Sequence, residues 1–78
     1  MDMRHYKEWI KIGLNILYYR KEQRLTQQQL ADLCGTDGIS RAFIQRIETG
    51  TSSCSLDTLM EVASALNIPL YKLFVFKD

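Results

Sequence analysis

The sequence contains few residues that could bind a metal, form disulfides or catalyse a reaction. It has two cysteines, Cys34 and Cys54, and one histidine, His5. Two cysteines do not make a disulfide framework, and no paired Cys or His spacing suggests a metal site, so we expect packing thiols rather than a redox pair. A lone histidine without an acid pair or an activated nucleophile argues against an enzyme. We therefore expect no catalytic residue, no metal and no cofactor.

Long apolar runs and a strong net charge are also missing. No segment suits a membrane span, and the N-terminus MDMRHYKEWIKI lacks the apolar core and cleavage site of a signal peptide, so we expect a cytoplasmic protein with no membrane partner. The net charge is +1 and the pI is near 7.8. Strongly basic nucleic-acid binders have a pI above about 9. Any contact with DNA must therefore depend on where the cations lie, not on their number.

The length and the scarcity of proline predict a single all-α domain. The chain has 78 residues and one proline. A domain of this size buries only about 60% of the surface of its unfolded chain, so the core is modest and a partner subunit would add burial. No alternating apolar pattern of strand length occurs before the last residues, which favours short amphipathic helices joined by turns. We expect one domain over residues 1–78.

The first helix is predicted over Tyr6 to Gln23, with two apolar stripes. Its core-facing stripe comprises Trp9, Ile12, Ile16 and Tyr19. A second, offset stripe comprises Tyr6, Ile10, Leu14 and Leu17. Because a surface helix needs only one apolar face, the second stripe predicts that something else covers it.

Caps and stops predict the limits of the next two helices. In TQQQLADLC, Thr26 and Gln29 form a capping box that starts the second helix. The turn GTDG ends it, and Ser40 caps the third helix. The predicted buried side of the second helix comprises Leu30, Ala31, Leu33 and Cys34.

Two further helices are predicted after Gly50, which stops the third. Ser55 is expected to cap the fourth helix, and Asn67 is expected to end it in the left-handed conformation. Pro69 fits the first turn of a short fifth helix. The predicted inward faces comprise Leu56, Leu59, Met60, Ala63 and Leu66 in the fourth helix and Leu70, Leu73 and Phe74 in the fifth, with Val75 and Phe76 in an apolar tail.

The stretch SRAFIQRIETG places polar side chains on a face that has no core to join. At about 100° per residue, Ile44 and Ile47 face inward. Gln and Arg can each offer two hydrogen bonds in one plane, which suits base edges in the DNA major groove. The opposite face, a candidate DNA-contacting surface, comprises Ala42, Gln45, Arg46 and Thr49.

The pieces IGLNILYYRKEQRLTQQQLADL, SRAFIQRIETG and SLDTLMEVASALNIPLYKLF, in this order and spacing, resemble the lambda repressor and Cro type of helix-turn-helix protein, the XRE family. The resemblance implies a compact five-helix bundle whose second and third helices bind double-stranded DNA, usually as a homodimer on a palindromic site. It divides the chain into a family-like core at residues 12–74, an N-terminal extension at 1–11 and a short apolar tail at 75–78.

The resemblance also implies roles for individual residues. A phosphate-contacting position falls on Gln27, beside Thr26, and Gln28 lies at the same helix N-terminus, where unpaired N–H groups favour phosphate. Phe43 is expected to pack under the turn, with a thymine-methyl contact as the alternative. The positions that contact bases fall on Arg41, Ala42, Gln45 and Arg46.

Glu48 lies next to the apolar stripe of the third helix, where a carboxylate is costly unless it is paired. The resemblance implies Arg20 as its partner. Such a pair would join the first helix to the third and fix the angle of the third helix. The alternative is two solvated surface charges.

Two segments depart from the family pattern. The turn GTDGI is about three residues longer than in most relatives, and Asp37 in it either caps the third helix or serves the turn. The run TSSCS stands where relatives carry basic residues and a proline, although Thr51, Ser52 and Ser53 can offer hydroxyl and backbone N–H donors to phosphate. With fewer cations, affinity for DNA and its salt dependence should be smaller. Lys21 and Arg24 are either phosphate contacts or solvated charges.

These observations predict a sequence-specific transcriptional regulator, with repression as its expected action, that binds an operator as a homodimer. The alternative is a protein-interaction module such as an antitoxin, which would bind another protein through the second stripe of the first helix and the tail. The same surfaces would serve a homodimer, so self-association discriminates between the two hypotheses.

Overall fold

A computed structural model describes residues 3–35 and 39–76. It contains four α-helices, which are α1 (Tyr6–Glu22), α2 (Gln27–Cys34), α3 (Arg41–Glu48) and α4 (Leu56–Ala65). Two 3₁₀ helices flank them, at Met3–His5 and Leu70–Phe74. No strand occurs in the two described ranges. The all-α prediction is confirmed.

The predicted count of five helices is slightly wrong, because the last element is a short 3₁₀ helix. Pro69 does not lie in its first turn but precedes it as the N-cap, with an extended backbone. The amide of Lys72 donates to the Pro69 carbonyl at 3.1 Å, an i to i+3 bond. An i to i+3 bond of this kind is typical of 3₁₀ rather than α-helical geometry.

Side-chain caps begin α2, α3 and α4 as predicted. Thr26 Oγ1 accepts from the Gln29 amide at 3.0 Å, and Gln29 Oε1 accepts from the Thr26 amide at 2.8 Å, which completes the capping box. Ser40 and Ser55 cap α3 and α4 by accepting from the amide three residues further on. Each cap satisfies a helix N–H that would otherwise lack a partner.

Left-handed residues end the same helices. Gly35 (φ 63°) ends α2, Asn67 (φ 59°) follows α4, and Gly50 (φ 74°) follows α3. Gly50 also lies against α1, because a Cβ there would be 2.7 Å from Ile10 Cγ1. Residues 36–38, and with them Asp37 and its two predicted roles, lie outside the described residues.

The core lies where all four α-helices and the C-terminal 3₁₀ helix meet. Ile16, Leu30, Ile44, Val62, Leu66 and Leu73 are its largest fully buried side chains. The core-facing stripe of α1 is confirmed in Ile12 and Ile16, while Trp9 and Tyr19 pack against the core half-buried. Within the described residues the predicted second stripe is not covered, since Tyr6, Ile10 and Leu14 are exposed and Leu17 is half-buried.

Several predicted inward positions are wrong. Leu33 is 57% exposed because the buried face of α2 is centred between Leu30, Ala31 and Cys34, and Leu33 lies about 100° from that centre. Leu56 and Met60 lie on the flank of α4, whose buried face includes Val62 instead. Phe74 is exposed beside the buried Leu73.

α1 crosses α3 in backbone contact at Gly13. A Cβ on Gly13 would lie within 2.3 Å of the Ile47 carbonyl oxygen and 2.7 Å of the Glu48 carbonyl oxygen. Only a residue without a side chain permits this approach. The crossing places the C-terminal half of α3 directly against α1.

No helix in the described ranges is long and apolar enough to cross a membrane.

Candidate nucleic-acid interface

α3 presents a polar face to solvent. Arg41, Ala42, Gln45 and Arg46 are exposed on this helix, while Ile44 and Ile47 are buried beneath them. The helix spans eight residues, begins at the Ser40 cap and contacts both α1 and α2. The four predicted base-contacting residues thus lie together on one exposed surface, held by a helix whose other face is in the core.

A buried ion pair fixes the C-terminal end of α3. Arg20 Nε donates to Glu48 Oε2 at 2.5 Å and Arg20 Nη2 donates to Glu48 Oε1 at 3.0 Å, in the parallel geometry of a bidentate pair. Arg20 and Glu48 are 6% and 5% exposed, so neither is a solvated surface charge. Arg20 Nη1 also donates to the Leu25 carbonyl at 2.8 Å, which joins the pair to the turn before α2.

The Gln27 side chain is a third member of this network. Its amide Nε2 donates to Glu48 Oε1 at 3.0 Å. The residue predicted to contact phosphate therefore connects the first turn of α2 to α3 and α1. One of its two amide hydrogens is used internally, and the backbone N–H groups of the first turn remain the groups best suited to an anion at this end of α2.

The two neighbours of Gln27 are also engaged within α2. The Gln28 amide donates to Asp32 Oδ1 one turn later, at 2.9 Å. Thr26 uses its hydroxyl oxygen as the helix cap. Both side chains are exposed, so they lie at the surface beside α3, but their present hydrogen bonds are local.

Arg46 packs on an aromatic ring of its own helix. Its guanidinium carbon lies 5.8 Å from the centroid of the Phe43 ring, within the range of a cation–π interaction. Phe43 is half-buried and packs against the core. The ring therefore joins an exposed cation to the interior.

Hydroxyl groups form hydrogen bonds with carbonyls at the C-terminal end of α3. Thr49 Oγ1 donates to the carbonyls of Gln45 (3.0 Å) and Arg46 (3.1 Å), and Thr51 Oγ1 donates to the Arg46 carbonyl at 3.2 Å. Ser52 Oγ donates to the Ser53 carbonyl at 3.1 Å. Because a hydroxyl has one hydrogen, these predicted donors to DNA are used within the protein. The carbonyls of Gln45 and Arg46 that receive the threonine hydroxyls also accept the backbone amides of Thr49 and Thr51.

A groove of about 480 Å³ lies between α1 and the C-terminal segment, residues 72–76. Asn15 Nδ2 holds this segment by donating to the carbonyls of Leu73 (2.9 Å) and Val75 (3.1 Å). The Lys11 ammonium lies 5.5 Å from the centre of the Phe76 ring. Val75 and Phe76, the described part of the predicted apolar tail, therefore lie against α1.

Neither Cys34 nor Cys54 forms a disulfide within the described residues. Burial, with a smaller effect of the Glu61 carboxylate, raises the pKa of Cys34. Burial alone raises the pKa of Cys54 to about 11. Such thiols are poor nucleophiles at neutral pH, as packing residues should be.

Sequence reasoning missed three features of this interface, namely the Gln27 bond to Glu48, the hydroxyl caps of α3 and the backbone contact at Gly13. For Gly13 a signal was present, because a glycine within an amphipathic helix often marks close packing. The other two depend on how helices distant in the sequence are oriented, which no local pattern reports.

Comparison with known proteins identifies the class. The family model HTH_3, described as helix-turn-helix, matches residues 16–73, more than half of the chain. The chain belongs to this family, the XRE type of DNA-binding transcription regulators, and the expected resemblance is confirmed. No curated protein sequence matches it.

Solved structures of similar fold include two regulators and a hypothetical transcription factor. The restriction-modification controller protein C.AhdI from Aeromonas hydrophila is 31% identical with a TM-score of 0.84, and the match covers 91% of this chain and 99% of C.AhdI. An HTH_3 family transcriptional regulator from Vibrio cholerae is 29% identical (TM-score 0.80), with coverage of 88% here and 37% there. A hypothetical transcription factor, NHTF, from Neisseria shares the fold at 23% identity (TM-score 0.79), with coverage of 88% and 76%.

Proposed function

We propose that the chain is a sequence-specific DNA-binding transcriptional regulator that occupies a palindromic operator as a homodimer and represses transcription. The observation that supports this most directly is the surface of α3, where Arg41, Ala42, Gln45 and Arg46 are exposed together above a buried face. Arg and Gln form bidentate hydrogen bonds with guanine and adenine in the major groove. Gln45 and Arg46 are the proposed base-contacting residues, with Arg41 and Ala42 beside them.

The proposed phosphate contacts lie at the two ends of the motif. At the start of α2 they involve Thr26, Gln27 and Gln28, through backbone N–H groups and through the side-chain hydrogens that the internal bonds of these residues leave unused. After α3 they involve Thr49, Thr51 and Ser52, whose hydroxyls would exchange an internal acceptor for a phosphate oxygen. Neutral donors of this kind orient the protein but release few counterions.

The proposed homodimer supports a palindromic site, because two-fold symmetry in the protein is matched by two-fold symmetry in the operator. Apolar side chains available for this contact include Leu14 on α1 and Val75 in the tail, which are 54% and 57% exposed. The restriction-modification controller C.AhdI is matched over nearly its whole length. We therefore propose further that this chain, like C.AhdI, is a controller protein of a restriction-modification system.

The test is selection of bound duplexes from a random pool, followed by titration of the selected duplex and an unrelated duplex at two salt concentrations. We expect a palindromic sequence bound much more tightly than the control. Sedimentation equilibrium of the free protein should show a dimer that Leu14→Asp weakens. Weak, salt-sensitive binding to every duplex would contradict the proposal.

The second candidate is a protein-interaction module of the same fold, such as an antitoxin. The observation that favours it is the uncovered apolar surface of α1, where Tyr6, Ile10 and Leu14 are exposed. A monomeric protein without sequence preference for DNA would support this candidate. A dimer that covers the same residues would support the regulator.

A further inference from the structure

Arg46 is held at both its backbone and its side chain, although it is exposed. Its carbonyl accepts from the Thr51 amide at 3.0 Å, from Thr51 Oγ1 at 3.2 Å and from Thr49 Oγ1 at 3.1 Å. Its guanidinium lies over the Phe43 ring. Among the described residues it forms no ion pair. The contacts that hold Arg46 therefore include no carboxylate of the described residues.

From this geometry we infer that Phe43 is a positioning residue for base recognition, which orients the Arg46 guanidinium before DNA is bound, while Thr49 and Thr51 fix the backbone beneath it. The inference rests on the proposed function. Phe43, which was predicted to pack, and Thr49 and Thr51, which were predicted to contact DNA, thereby contribute to the base specificity of Arg46.

The chemistry of the contact suits this role. A carboxylate partner would occupy the N–H donors of an arginine and compete with the base. A ring attracts the guanidinium through its π face and leaves all five N–H donors unused. Those donors are the groups that pair with guanine O6 and N7.

Phe43 is suited to hold the cation because it is itself held. Its ring is half-buried and packs against the core, and its backbone amide donates to Ser40 Oγ at 3.1 Å. A flexible arginine loses rotamer freedom when it binds a base, and that loss weakens binding. A side chain already ordered by a fixed ring loses less, which is the usual advantage of preorganisation.

The first experiment uses the free protein, so it does not depend on DNA. In NMR spectra, the side-chain protons of Arg46 should be shifted by the ring current of Phe43. The shift should disappear in Phe43→Leu, which keeps an apolar side chain without a ring, and persist in Phe43→Tyr. Unshifted Arg46 protons in the unaltered protein would overturn the inference.

The second experiment measures discrimination on the selected duplex. Each base pair is changed in turn, and Arg46→Ala identifies the pair that Arg46 contacts. We expect Phe43→Leu to reduce discrimination at that pair about two- to fivefold, the size of an exposed cation–π interaction, and to leave the other pairs unchanged. Phe43→Tyr should restore it. Thermal unfolding of each variant shows whether the fold is retained.

Two outcomes of this experiment would overturn the inference. The first is a loss at a different base pair, as expected if Phe43 contacts a thymine methyl. The second is an equal effect of Phe43→Leu in the presence and absence of Arg46, measured in the double variant with Arg46→Ala. If the protein selects no sequence, the proposed function fails, and the NMR experiment still decides whether Phe43 orders Arg46.

Discussion

Arg20 on α1 and Glu48 at the end of α3 form a bidentate ion pair inside the protein, with N to O distances of 2.5 and 3.0 Å. Gln27 donates to the same carboxylate at 3.0 Å, so three helices meet at Glu48. This network lies one residue beyond Ile47 and two beyond Arg46, at the end of the proposed DNA-contacting helix. It therefore determines how that helix is set against the other two.

Arg20→Ala should lower the free energy of unfolding by about 3–5 kcal/mol, because it leaves the Glu48 carboxylate buried without its cation. The measurement is urea denaturation followed by circular dichroism. Lys21→Ala, an exposed neighbour on the same helix, serves as the matched control and should change stability by less than about 0.5 kcal/mol. Equal midpoints for the two variants would contradict a structural role for the pair.

Gly13→Ala should also destabilise the protein, by about 1–3 kcal/mol or more, because its Cβ would meet the carbonyl oxygens of Ile47 and Glu48. The test is the sign of the change in the free energy of unfolding, because a glycine to alanine substitution within a helix otherwise stabilises a protein by about 0.5–1 kcal/mol. Ser64→Ala, at an exposed position within α4, is the control and should be neutral or slightly stabilising. A stabilised Gly13→Ala variant would mean that the two helices are not in backbone contact.

Cys54 should react slowly with iodoacetamide in the folded protein. Burial raises the pKa of its thiol from 9.0 to about 11, so at pH 8 the thiolate fraction is about a hundredfold lower than in the unfolded chain. Mass spectrometry of alkylation with and without urea measures the difference. Equal rates in both states would contradict the burial of this thiol.

The same pKa shift predicts how Cys54 affects stability with pH. A pKa that is higher in the folded state means that folding favours the protonated thiol. The contribution of the protonated Cys54 thiol to the free energy of unfolding is present below pH 9 and is lost as the pH rises towards 11. The free energy of unfolding should therefore fall less over this interval in Cys54→Ala than in the unaltered protein, as urea denaturation at each pH would show.

Local features of the fold were predictable from the sequence because their causes are local. Thr26, Ser40 and Ser55 each bond to an amide three residues away, so the cap and the helix it starts lie in one short segment. Asn67 and Gly35 adopt the left-handed backbone expected of a helix stop for the same reason.

Features that depend on the arrangement of the helices were not predictable. Leu33 has the spacing of a core residue, yet the orientation of α2 leaves it exposed. Thr49 has the phase of the DNA-contacting face, yet its hydroxyl bonds to carbonyls of its own helix. The sequence restricts each side chain to a few possible roles, and the packing of distant elements decides among them.

Arg46→Ala should weaken binding to the selected operator by about 1–3 kcal/mol and relax preference at one base pair, because a bidentate contact with a single base is lost. Arg24→Ala is the comparison, since Arg24 is exposed in the turn before α2. If Arg24 contacts phosphate, its loss should weaken binding to every duplex alike and reduce the salt dependence by about one counterion.

Titration of both variants on the operator, on its single-base-pair changes and on an unrelated duplex separates the two effects. A uniform loss for Arg46→Ala across all of these duplexes would make Arg46 a phosphate contact. In that case Gln45, which is exposed one residue earlier on α3, would remain as the principal base-contacting residue, and Gln45→Ala should then relax preference at an A·T pair.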